Sequence, residues 1–196
     1  MPDAADRVSD EVLMQRVARG EREALRILVD RHGPRVQRLA ARVLGNAEDA
    51  KDAAQDVFVA VFRSAASYRP DARFSTWLHR VTVNRCLTEL DSKRTRTRVL
   101  AGLAAPTGEL HARHGGVAAD PTADPADQQL ERREHLERLD AALRSLPPRQ
   151  RTAVVLHRFE DLGYADIAQV LGCSVGSVES LLARAKETLV QRLRRA

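Results

Sequence analysis

Large flat rings are scarce in this 196-residue chain, where aromatics make up 4%: one Trp, two Tyr and four Phe. The apolar 43% is therefore carried mainly by Leu, Val and Ala, a composition that favours helices over a sheet. Cysteine is rarer still. Cys86 and Cys173 stand alone, each on an apolar helical position, and read as core thiols in a reducing compartment rather than as a disulfide. No run of about 18 apolar residues exists, which excludes a membrane helix. The opening Met-Pro-Asp-Ala-Ala-Asp has no apolar stretch of the secretory kind, so a cytoplasmic location is expected. Also missing are a Ser/His/Asp nucleophile setting, a phosphate-cradling glycine loop and a metal cluster. His111 and His114 lie three apart, but no Cys or carboxylate sits at ligand spacing from them. No catalytic residue, metal or cofactor is expected, and the chain is not read as an enzyme.

Positive charge is what the chain has in excess. Its formal net charge is +5 and its pI is near 9.8. That balance suits a polyanionic partner without proving one. The first half reads as helical throughout: a short amphipathic piece over 10–19, then 21–44 with Leu25, Leu28, Val29, Val36, Leu39, Ala40 and Val43 at the helical period. Gly33-Pro34 is expected to bend or restart that helix, because proline removes a backbone donor. Asn46 caps a third helix carrying Ala50, Ala54, Val57, Phe58, Val61 and Phe62, whose opening turns are acidic: Glu48, Asp49, Asp52 and Asp56 against Lys51. A loop over 67–73 breaks the chain. Phe74, Trp77, Leu78, Val81 and Leu90 line a fourth helix ending in the basic run Lys93-Arg-Thr-Arg-Thr-Arg98.

Between 99 and 126 the periodicity vanishes and Gly, Pro, Ala and Asp take over. So few large apolar groups cannot offset the entropy of ordering a segment, so a flexible linker is expected. Helical patterning resumes over 127–146 with Leu130, Leu136, Leu139 and Leu143. Pro148 opens the next helix, buried through Val154, Val155, Leu156 and Phe159. The expected architecture is all-α: two small helical domains, 10–98 and 127–196, on a flexible tether.

The most informative stretch is Tyr164-Ala-Asp-Ile-Ala-Gln-Val-Leu-Gly-Cys-Ser-Val-Gly-Ser-Val-Glu-Ser-Leu-Leu-Ala-Arg. It reads as two short helices joined by a tight turn, the motif that lays its second helix in the major groove of DNA. Ala168 is small where the helices cross, Gly172 relieves left-handed strain at the first C-terminus, and Ser174 caps the second helix. Ile167, Val170, Leu171, Val178 and Leu181 form the seam between them.

Two motif sets then agree in order and separation. Asp49-Ala-Lys-Asp-Ala-Ala-Gln-Asp-Val-Phe58, followed by Phe74-Ser-Thr-Trp-Leu-His-Arg-Val-Thr-Val-Asn84, resembles region 2 of a bacterial sigma factor. Leu146-Pro-Pro-Arg-Gln-Arg-Thr-Ala-Val-Val-Leu156, with the helix-turn-helix after it, resembles region 4. Two regions joined by a short linker resemble the extracytoplasmic-function (ECF) class. The resemblance implies core RNA polymerase as partner. Asp49, Asp52, Gln55, Asp56 and Phe58 would dock on its β′ subunit, and the helix from Pro148 to Phe159 would meet β. It implies that Arg73, Ser75, Thr76, Trp77, Arg80, Asn84 and Arg85 hold the −10 element of promoter DNA as it opens. Cations track phosphates there, while stacking surfaces take unstacked bases. Trp77 has a second role open to it, as a core residue among Phe74, Leu78 and Val81, and its neighbours favour that one. Ser174, Gly176, Ser177, Glu179, Ser180 and Ala183 would read the −35 element, with Arg184 and Lys186 on phosphates or flanking groups. The chain departs from the family where Glu179 and Leu181 replace basic residues, and near Thr88 and Leu90-Asp91-Ser92, which bears on base preference. The resemblance also implies control by an anti-sigma protein wedged between the domains. A DNA-binding regulator that never joins polymerase is the competing reading, and it leaves the pattern from Asp52 to Asn84 unexplained.

Overall fold

The computed structural model describes residues 8–69, 73–103 and 138–194. Among these residues every regular element is a helix: α1 (Asp10–Ala18), α2 (Arg22–Leu44), α3 (Ala47–Ser64) with a 3-10 turn (Ala65–Ser67), α4 (Phe74–Leu103), α5 (138–144), α6 (Pro148–Phe159), α7 (Tyr164–Leu171) and α8 (Val175–Leu193). The expected all-α class holds.

Local chemistry sets most of the boundaries. The Ser9 hydroxyl accepts from the Val12 amide and Asn46 Oδ1 from the Glu48 amide, satisfying donors that would otherwise be orphaned at two helix starts. α2 ends at Gly45 in the left-handed region, φ +74, where glycine carries no Cβ penalty. Pro148 occupies the first turn of α6.

Two boundaries differ from expectation. α2 runs unbroken through Gly33-Pro34. Only the Pro34 amide is lost from the ladder, and the packed helix around it offsets that single missing bond. α4 continues past the basic run to Leu103, so the first residues of the expected linker, 99–103, belong to a helix. The rest of the linker, with His111, His114 and the stripe positions Leu130 and Leu136, lies outside the described residues. Val29 and Phe62 also differ. Both sit on the apolar period of their helices yet are 36% and 51% exposed, because they flank the stripe that the neighbouring helices cover.

Three apolar clusters hold the molecule together. One joins α1, α2, α3, the 3-10 turn and the start of α4 through Leu13, Met14, Leu28, Val57, Val61 and Phe74. A small one joins α5, α6 and α8 through Leu143, Leu146 and Ala185. The largest draws on both ends of the chain: Leu39, Val43, Ala50, Val83 and Cys86 from α2–α4 pack with Val155, Leu156, Ile167, Val170 and Val178 from α6–α8. Complete burial of such side chains is worth about 1.5–3 kcal/mol each, against about 0–1 kcal/mol for an exposed ion pair. Shared apolar burial therefore dominates the attachment of the C-terminal helices to the N-terminal ones.

Candidate functional site

The helix-turn-helix forms as its residues dictate. α7 stops at Gly172, φ +60, and Ser174 Oγ accepts from the Ser177 amide at 3.2 Å to start α8. Val178 and Ala185 are fully buried and fix the inward side of α8. Ser174, Gly176, Ser177, Glu179, Ser180, Ala183, Arg184 and Lys186 are all exposed on the outward side. The expected reading face is thus brought together on one surface. The Ser180 hydroxyl donates to the Gly176 carbonyl at 2.9 Å, which leaves its oxygen free to accept from a base. Leu181 is half-buried on the seam. Sequence reasoning missed Arg149, whose guanidinium donates to the Leu171 carbonyl at 3.0 Å and ties α6 to the end of α7. The signal for it was an Arg beside the proline that opens α6, ahead of a left-handed glycine cap on α7.

The candidate docking face lies on α3. Asp52, Gln55 and Asp56 are exposed, Asp49 is half-buried, and Phe58 is half-buried against the N-terminal cluster. The carboxylates are not all unengaged. Asp56 accepts from Arg85 at 2.7 Å, and Asp49 from Lys93 at 2.5 Å. Arg85 also reaches Glu89 at 3.2 Å. Its hydrogen bond to Asp56 holds the guanidinium pKa above its ordinary value, against the opposing effect of partial burial.

The −10 candidates spread along the start of α4. Arg73, Arg80 and Asn84 are exposed, and neither arginine has an ion-pair partner among the described residues. Ser75 and Thr76 are half-buried. Trp77 packs its ring 5.1 Å from Tyr68 and 5.7 Å from Phe74 and is half-buried. It packs against the N-terminal cluster and stays partly exposed. The two candidate sets therefore meet: Arg85, expected on DNA, is paired to Asp56, expected on a protein partner. Among the described residues there is no group of His, Cys, Asp or Glu placed to hold a metal ion, and no helix is long and apolar enough to cross a membrane.

A third feature had no counterpart in the sequence reasoning. Glu160, at the end of α6, is 6% exposed. It accepts from Arg35 Nε of α2 at 2.6 Å and lies 3.2 Å from His79 Nε2 of α4. A carboxylate only accepts, so His79 carries its proton on Nε2. Beside it the Arg42 guanidinium stacks 4.4 Å over the Phe159 ring. Arg151 is buried near Gly45, where a Cβ would stand 2.9 Å from Arg144 Cγ. Glu160 and Arg35 are far apart in the chain, which is why no local pattern flagged them.

Comparison with known proteins supplies the identity. Residues 28–96 match the family described as Sigma-70 region 2, and residues 136–189 match Sigma-70, region 4. The chain is 33% identical over 181 residues to the RNA polymerase sigma-H factor of Pseudomonas aeruginosa, covering 92% of this chain and 91% of that one. It is 30% identical over 191 residues to the ECF RNA polymerase sigma-E factor of Escherichia coli K12, covering 94% of each. Among solved structures it is similar to CnrH in complex with the cytosolic domain of CnrY, with a TM-score of 0.64 at 26% identity, over 96% of this chain and 99% of that one. The chain belongs to the extracytoplasmic-function sigma factors of the sigma-70 family.

Proposed function

We propose that this chain binds core RNA polymerase, directs it to promoters bearing matched −10 and −35 elements, helps open the DNA, and is restrained by an anti-sigma protein. It works without catalysis of its own. The observation that supports this reading best is the exposed face of α8, with its polar residues on one side and Val178 and Ala185 anchoring the other. Such a face can enter a major groove, and each well-placed base contact is worth about 1–3 kcal/mol of discrimination. The acidic face of α3 adds a second, separate surface suited to a basic protein partner.

On this reading Asp49, Asp52, Gln55, Asp56 and Phe58 contact β′, and α6 contacts β. Arg73, Arg80, Asn84 and Arg85, with Ser75 and Thr76, hold the opened −10 strand, and the exposed part of Trp77 meets it. Ser174 through Ala183 read the −35 bases while Arg184 and Lys186 set register on phosphates. Transcription of a genomic fragment library by core enzyme with and without the chain tests this. New start sites sharing two spaced elements are expected. Start sites unchanged by the chain would contradict it and favour a regulator that acts without polymerase.

A further inference from the structure

The opening turns of α8 carry one formal charge, and that charge is negative. Glu179 is exposed and has no ion-pair partner among the described residues. No Arg, Lys, Asn or Gln occurs between Ser174 and Ala183. The hydroxyls around Glu179 add few donors. Ser180 gives its proton to the Gly176 carbonyl at 2.9 Å, and Ser174 and Ser177 share one between their oxygens, also at 2.9 Å. Two of the three hydroxyl protons are thus spent inside the helix, while the oxygens keep lone pairs to offer. Val175, 44% exposed, and the exposed Ala183 add methyl groups. The face is built mainly of acceptors and methyls, and the first cations, Arg184 and Lys186, come after it.

Each base shows the major groove a different set of groups. Guanine presents two acceptors, thymine an acceptor and a methyl, and adenine a donor beside an acceptor. Cytosine presents a donor alone. A carboxylate set against guanine or thymine meets lone pairs and loses water without gaining a hydrogen bond. Against cytosine it accepts from the N4 amine, and such a charge-assisted bond is among the stronger ones. The first turns of a recognition helix are the ones that reach base edges, and Glu179 stands on the second turn of α8. We propose that Glu179 determines specificity by reading a cytosine in the −35 element. The inference rests on the proposed −35 role of α8 and names the base that this role selects. Guanine at that position is rejected by repulsion as well as by a missing contact, so one acidic side chain separates promoters in both ways.

The test selects bound sequences in two arms. In one, the full chain with core enzyme is offered duplexes randomised over the −35 segment of a start site that the chain directs. In the other, the full chain alone is offered fully randomised duplexes. One position restricted to cytosine is expected, with other bases there disfavoured by about tenfold. Glu179→Ala should flatten the preference at that position and leave the others unchanged. Glu179→Gln should move it to adenine, because an amide pairs with N6 and N7 of that base. Glu179 is exposed, so both variants should keep the helical content of the unsubstituted chain by circular dichroism. A cytosine position that survives Glu179→Ala overturns the proposal. Uniform weakening across all sequences in both variants also overturns it, since a side chain with a merely structural role would act that way. Selection with core enzyme of an element lacking any cytosine position overturns it while keeping the sigma reading. Cytosine-restricted selection by the chain alone, with no response to core enzyme, strikes the sigma reading and leaves the base assignment standing.

Discussion

At the residue scale the local rules of helix capping and packing explain how the candidate site is shaped. Ser174 starts the reading helix by accepting from the Ser177 amide. Ser174→Ala should therefore destabilise the helix-turn-helix by about 1 kcal/mol, read as a lowered denaturation midpoint with an unchanged slope. Cys86 is fully buried, and desolvation pushes its thiol up to about 12. A thiol so protonated is inert, whereas Cys173 is only half-buried. A native sample titrated with a thiol reagent at neutral pH should show Cys173 reacting and Cys86 protected, with both reacting in denaturant. Rapid labelling of Cys86 would show that the shared core opens far more readily than its packing implies. Arg184 points outward without an ion-pair partner among the described residues. Its alanine variant should weaken −35 binding uniformly across sequences and reduce the salt slope by about one. A loss confined to one base position would instead make it a base reader.

At the scale of elements, the capping residues Asn46, Gly172, Ser174 and Pro148 were legible because each acts within a turn of its own position. The outward face of α8 was legible for the same reason, since 3.6-residue periodicity alone separates Val178 and Ala185 from Glu179 and Ser180. Pro34 misled because propensity reports an isolated helix, whereas α2 is packed along its length by α1, α3 and α4. The end of α4 was placed too early because the basic run reads as a helix terminus although the helix continues through it. The pairing of α3 with α4 was invisible, since Asp56 with Arg85 and Asp49 with Lys93 depend on how two helices align. On the proposed roles, a partner that takes Asp56 would leave Arg85 held by Glu89 alone and freer to meet nucleic acid. Asp56→Ala should raise the affinity of the isolated chain for single-stranded −10 DNA by about twofold to fivefold, in line with an exposed pair, while lowering its affinity for core enzyme. Equal weakening of both would show that Arg85 needs Asp56 for its position.

At the scale of the whole molecule, the two halves were expected as separate units on a tether, and the described residues place them against one another. Nothing local in the sequence encodes that contact, because Glu160 gains its partners only when α2, α4 and α6 meet. Burial acts to raise the Glu160 carboxyl, but hydrogen bonds from His79 and Arg35 outweigh it and hold the pKa below its ordinary value. Arg42 adds a further positive charge from α2. A carboxyl lowered on folding contributes fully above its ordinary range and loses that contribution as pH falls through the lowered value. The packing of α6 against α2 and α4 should therefore loosen on acidification below the ordinary glutamate range, about pH 4.3, and Glu160→Gln should remove that acid limb from the denaturation midpoint followed against pH. The central claim, however, is that this chain is a polymerase subunit. Its most direct test is co-elution of the purified protein with sigma-free core RNA polymerase, beside an Asp52/Gln55/Asp56 triple alanine variant. The account predicts stoichiometric binding by the unsubstituted chain and loss of binding in the variant. Failure of the freshly folded, unsubstituted chain to bind would contradict it.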